Sequence, residues 1–382
     1  MVFICWISLN LSGIKMYKNF QNWLSGLFSK GSPSTVESLN EEVSSSETIP
    51  FEDGMIFSRE LESTKRKRES HRADVHKLMI KATKIRKSEG YPPAIDFLQT
   101  LAEVYIETQN TALVICMNKL IPYMKRDPEF KFRNIKKYLE DVIKRVPDNN
   151  SYFLNLHITM ANLIKTQNLD KAINYLTKRL ELYNISLDTF SMQITLADML
   201  VDNGEIQEAQ AILDRAKDLL PAISDRYLLI KKERKWFRSL AKLHLNSSGR
   251  SHKVNYLTYR FLEFAMDMAR VLDPLQIYCF HQRKDLYYKG ERGFIGTEDY
   301  EEALVELGIE DKKESIIEEI FGFCFEEMPE IMGITEKQLH YVPGDLESLE
   351  EFSDKKMYQR KPFKELPEIE KRINKLVRKY VE

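Results

Sequence analysis

The residue types that carry chemistry are present but dispersed. Seven histidines (His71, His76, His157, His244, His252, His281 and His340) form no H-E-x-x-H array, and none sits at metal-ligand spacing from a cysteine. Cys279 and His281 come nearest, yet two positions apart on a helix they project from different faces. Cys5, Cys116, Cys279 and Cys324 are widely separated, with no C-x-x-C pair, a usage that fits reduced, buried thiols in a cytoplasmic protein. Acidic doublets such as Glu318-Glu319 and Glu326-Glu327 read as solvated helix faces; an acid–base dyad needs one carboxyl desolvated enough to hold its proton. The glycine-spaced run Gly290–Gly296, GERGFIG, has no strand before it and no Gly-Lys-Ser/Thr after it, so it lacks the parts of a phosphate loop. The expectation is no catalytic residue, no metal and no cofactor. An enzyme would have to gather distant groups in a deep pocket, for instance His281 with carboxylates.

The elements available to position a binding site are helical. Glycine is low at 14 of 382 residues, and period-two runs of Val and Thr are scarce. The stretch from Phe190 to Pro221 sets the pattern: two amphipathic helices joined by a tight turn at Asn203-Gly204. Leu196, Ala197 and Leu200 mark one face of the first, and Ala209, Leu213 and Ala216 one face of the second. Small residues at 197 and 209 suit a place where two helix backbones come close. A single hairpin of this kind cannot bury its own apolar stripe, so it requires neighbours of the same kind.

These residues resemble the tetratricopeptide repeat, whose pattern runs W-x2-L-G-x2-Y, A-x3-F, P. Leu196-Ala197 stands for the L-G pair, Leu200 for the Tyr, Ala209 and Leu213 for A-x3-F, and Pro221 for the closing Pro, while Gln193 departs from the Trp. The second-helix part recurs at Ala172, Leu176 and Arg179, and again at Ile135, Leu139, Val142 and Pro147, in two steps of 37 residues (209 − 172 and 172 − 135). Ala82, Ile85, Ala94 and Leu98 make a weaker upstream unit. The family's period is about 34 residues, so turns or helices here are longer. The resemblance implies an all-α fold of antiparallel helix-turn-helix repeats stacked into a solenoid, with extra C-terminal helices.

The chain divides by composition into an apolar, amphipathic segment (1–28), a Ser/Glu/Pro-rich linker expected to be disordered (29–64), the repeats (65–221), capping helices (222–290) and an acidic region ending in a basic helix (291–382). Phe20, Trp23, Leu24, Leu27 and Phe28 form one stripe, so residues 16–28 suit docking to a partner, to the solenoid or to a membrane surface. No run reaches the ~18 apolar residues of a membrane span. Lys65–Arg68 reads as a basic patch or as the solvated start of a helix. Between Glu298 and Asp354 stand 19 acidic and 3 basic residues, against 10 basic and 4 acidic from Lys355 onward; this asymmetry calls for self-docking or a charged partner.

In tetratricopeptide proteins a peptide usually lies in a concave groove lined by the first helix of each pair. The resemblance carries that role to His157, Ala161 and Ile164 in one unit and to Ile194, Asp198, Val201 and Asp202 in the next, with the two aspartates as acceptors for an apolar or basic peptide. The expected function is a non-enzymatic adaptor or scaffold for a protein or peptide partner. The rival reading is a nucleic-acid-associated protein using Lys231–Arg238 and Lys65–Arg68, although a formal net charge of −1 does not favour it.

Overall fold

The computed structural model describes residues 75–147, 152–272, 277–290, 293–294, 296–339 and 363–382. The N-terminal stripe, the linker, Lys65–Arg68 and His340 lie outside them. Every regular element among the described residues is a helix. In chain order these are α1 (75–89), α2 (Tyr91–Glu107), α3 (Ala112–Arg126), α4 (Phe132–Arg145), α5 (Leu154–Lys165), α6 (Leu169–Tyr183), α7 (Phe190–Asp202) and α8 (Ile206–Lys217). Then follow α9 (Arg226–Leu245), α10 (Arg250–Val271), α11 (Phe280–Tyr288), α12 (Glu298–Leu307), α13 (Lys313–Gly322) and α14 (Leu366–Val381).

Local signals set most of these boundaries. Asn168 caps α6 by accepting from the Lys171 amide at 2.7 Å, and the Asp225 carboxylate caps α9 through the Leu228 amide at 2.6 Å. Gly204 turns the chain between α7 and α8 at φ 82°, a left-handed conformation that a side chain would strain. Helices α4, α6 and α8 start at Phe132, Leu169 and Ile206, in two steps of 37 residues (169 − 132 and 206 − 169). Ile135, Ala172 and Ala209 occupy the same place in the three helices and all are buried, as are Leu139, Leu176 and Leu213 one turn later. From α2 to α11 consecutive helices pack together, and α3, α5, α7 and α9 also touch one another in succession.

Helices α9 and α10 are longer, at 20 and 22 residues, and make the largest helix pair. Ile230, Trp236, Phe237 and Leu240 face inward from α9, and the Trp236 indole donates to the Leu213 carbonyl at 2.9 Å, tying α9 to α8. Beyond α10 the core turns aromatic: Phe261, Phe264, Tyr287, Phe294, Tyr300, Phe321 and Phe325 touch edge to face or tilted. Within the glycine-spaced run, Phe294 inserts into this core. Gly293 permits it at φ 101°, since a Cβ there would meet the Tyr287 ring at 2.5 Å. After α13 the helical path widens into a π-type turn at Phe323–Glu327 before one more turn, Met328–Ile331.

The charge asymmetry resolves in part within the molecule. The basic helix α14 lays Ile369, Ile373 and Val377 onto α10 and α13. Its Arg372 and Lys379 pair with Glu327 and Glu319 of the acidic region. Arg226, 3% exposed at its side chain, reaches Glu365 at 2.7 Å from 139 residues away. No described helix is long and apolar enough to cross a membrane.

Candidate functional site

The row α3–α5–α7–α9 is joined by side chains near both ends. The Thr159 hydroxyl donates to Asn118 at 2.8 Å, between α5 and α3. Asp202 of α7 stands between Lys165 of α5 and Lys242 of α9, both at 2.5 Å. Burial pulls the Asp202 pKa up, but hydrogen bonds from both ammonium groups outweigh it and hold the carboxylate below its ordinary value. Lys242 also donates to the Asp198 carbonyl at 2.8 Å.

The sequence-derived groove residues sit within this row. His157 is buried, its ring nitrogens 2.7 Å from the Tyr175 hydroxyl and 3.3 Å from that of Tyr183. Ala161, Ile194 and Val201 are buried among helices. Ile164 borders a cleft of about 460 Å³ with Phe132, Lys136, Lys171 and Tyr175. Asp198 is half-buried, and desolvation raises its pKa against a hydrogen bond from Ser239 and the field of Lys242 and Arg238. Asp202 is already neutralised by two lysines. The structure therefore brings these seven together as packing and ion pairs, and none of them lines either of the two cavities on α9.

The first of those cavities, about 370 Å³, crosses the N-terminal ends of α3, α5, α7 and α9. Its apolar part includes Ile115, Tyr152 and Leu228, which are 48%, 60% and 40% exposed where burial would be the rule for such side chains. Its polar wall is Lys231, Lys232 and Lys235, and among the described residues no carboxylate forms an ion pair with any of the three. Burial draws the Lys232 ammonium down to about 8, with Lys235 and Lys231 adding to the effect and Asp188 opposing it. Its Nζ lies 4.7 Å from the centre of the Phe190 ring. Lys235, which donates to the Ser191 hydroxyl at 3.3 Å, is lowered by the protein around it and by Lys231, Arg238 and Arg234.

The second cavity, about 600 Å³, opens between α9 and α10 and is walled by Arg234, Arg238, Lys242, Tyr256, Arg260 and Glu263. Behind it Asp267, 1% exposed, binds Arg234, Arg270 and Arg283 at 3.2, 3.4 and 3.1 Å and accepts from the Tyr287 hydroxyl at 2.9 Å. Lys231, Lys235, Arg238 and Lys242 recur at i, i+4, i+7 and i+11, so one cationic stripe of α9 joins the two cavities.

The Cys116 thiol is buried, donates to the Leu98 carbonyl at 3.3 Å and is pushed up to about 12 by desolvation; burial raises Cys324 as well. His281 donates from Nε2 to the Leu339 carbonyl at 3.0 Å. The convergence of four helix starts on one cavity was not read from the sequence. The Lys165–Asp202 pair had a usable signal, because its partners are 37 residues apart, the same step as the helices. In comparisons with protein-family descriptions, curated proteins and solved structures, the chain matches none.

Proposed function

We propose that this protein is a non-enzymatic adaptor that binds a segment of another protein across the first helices of a tetratricopeptide-like solenoid. The observation that carries this reading is the row α3–α5–α7–α9, whose N-terminal turns share one open, partly apolar cavity. Buried stripes on the second helices, repeated at equal 37-residue steps, support the repeat reading, since each unit depends on its neighbours for burial. The bound segment lies over residues 111–115, 152–155, 191 and 228–235, next to the residues that the sequence pattern selected rather than on them.

The test is selection of peptides from a random display library against the full chain, with hydrogen exchange mapping of the winners. Saturable binders that protect the first turns of α3, α5, α7 and α9 are expected. An absence of saturable binders, or protection confined to other helices, removes the adaptor reading. A second reading follows from the cationic stripe of α9: a nucleic-acid-associated protein, whose binding would weaken steeply with salt as counterions are released. A salt-insensitive interaction favours the adaptor.

A further inference from the structure

The groove across the four helix starts carries a charge pattern that selects its occupant. Lys231 and Lys235 stand one helical turn apart, an arrangement that destabilises a helix when both are cations. Lys232 stands beside them, partly desolvated, and no carboxylate pairs with any of the three among the described residues. The nearby acids are accounted for: Asp225 caps α9, and Asp188 acts on Lys232 without an ion pair. The N-terminal ends of α3, α5, α7 and α9 add their partial positive charge to the same space. Ile115, Tyr152 and Leu228 offer an apolar surface next to these cations.

A folded chain gains nothing from uncompensated lysines placed beside exposed apolar side chains; a ligand with the opposite pattern relieves both penalties at once. We infer that the partner segment is acidic and carries interspersed aliphatic or aromatic side chains, with its carboxylates on Lys231, Lys232 and Lys235 and its apolar groups on Ile115, Tyr152 and Leu228. This rests on the adaptor reading and adds the chemistry of the partner. From Lys231 to Lys242 the cationic stripe runs roughly 16 Å at the rise of an α-helix, or about five residues of extended peptide. An acidic segment lying on the groove therefore reaches Arg238 at the second cavity without leaving α9.

The experiment is fluorescence anisotropy on the full chain with four labelled peptides of one length. The first alternates Glu with Leu and Phe; the second replaces Glu by Gln, the third replaces Glu by Lys, and the fourth keeps Glu but replaces Leu and Phe by Ser. The first should bind most tightly, by about tenfold or more over each of the others. Lys231→Glu with Lys235→Glu should abolish that preference and improve binding of the lysine peptide, and Leu228→Ser should weaken the first peptide toward the fourth. These three side chains lie at the surface, and circular dichroism checks that each variant folds. Equal binding of the glutamine or lysine peptide overturns the inference while sparing the adaptor reading, as does an affinity that charge reversal moves by less than about twofold. Binding by none of the four, together with failure of the display selection, sinks the adaptor reading itself. Tighter, steeply salt-dependent binding of a single-stranded oligonucleotide overturns both in favour of nucleic acid.

Discussion

Two halves of this molecule bury their cores by different means. From Phe132 to Lys217 each helix pair closes on the pair beside it, in 37-residue steps, with Ile135, Ala172 and Ala209 buried at equivalent places. From Arg226 to Val381 the chain closes on distant parts of itself: Arg226 on Glu365, and Arg250 on the Val381 carbonyl 131 residues away. The first half contains small side chains and half-exposed ion pairs. The second holds a cluster of aromatic rings and a carboxylate shut in with three guanidinium groups. Local closure allows a unit to be repeated, whereas long-range closure ties separate parts of the chain into one core.

The largest test of this contrast is Asp267→Ala. It strands Arg234, Arg270 and Arg283 without their shared counter-charge and should cost about 3–5 kcal/mol in urea unfolding. A loss below about 1 kcal/mol would mean that the ion cluster is not what holds the second half together.

Next comes the acid sensitivity of α9. Glu233 is buried against α14, and desolvation, then Glu370, pushes it up to about 7. A carboxyl whose pKa is raised on folding favours the folded state while protonated, so this group's contribution is full below about pH 4.5 and fades as pH climbs to about 7. The lost stability is on the order of 3 kcal/mol. His244 on the same helix is lowered to about 4 by burial and by His252, so its contribution is present above pH 6.5 and lost as pH falls toward 4. The two slopes oppose each other in the unmodified protein. Glu233→Gln should remove the first slope and leave the histidine's unopposed by it, so stability should fall less or rise more with pH across this window than in the unmodified protein; an unchanged pH profile would refute the assignment.

A smaller effect is expected at the repeat crossing. Ala209→Leu forces three extra carbons between α8 and its neighbours and should cost about 1–3 kcal/mol. Full stability would show that the 37-residue crossing is looser than its burial indicates. The smallest is Asp202→Asn, which loosens the Lys165–Asp202–Lys242 chain by about 0.5–1 kcal/mol at low salt. That difference should shrink as salt screens the pairs, and a salt-independent loss would point to packing instead.

Helix identity was largely legible because caps and periodicity are local. Leu169–Tyr183 and Glu298–Leu307 follow directly from their boundaries, and the equal spacing of Ile135, Ala172 and Ala209 gave the packing of three helices. Among the capping helices, α9 starts at Arg226 because Asp225 caps it and Leu220–Ala222 forms a separate 3₁₀ turn. The candidate site was less legible. Asp198 and Asp202 carry the charge of acceptors, yet only the fold shows that Lys165 and Lys242 already occupy Asp202. The aromatic closure was hidden too: Gly293 meets Tyr287 and Phe294 meets Phe264 through tertiary approach, with no periodic signal.

The wide turn at Phe323–Glu327 gives this part of the chain a place where its length can change. One additional residue is taken up within that turn, so the helix beyond it keeps the angular phase of the helix before it. Removing one of the five should let the turn close with ordinary winding and leave Met328 and Met332 facing the core. A one-codon deletion here should therefore do less harm than the same deletion inside α10, where it would rotate every later residue by about 100°.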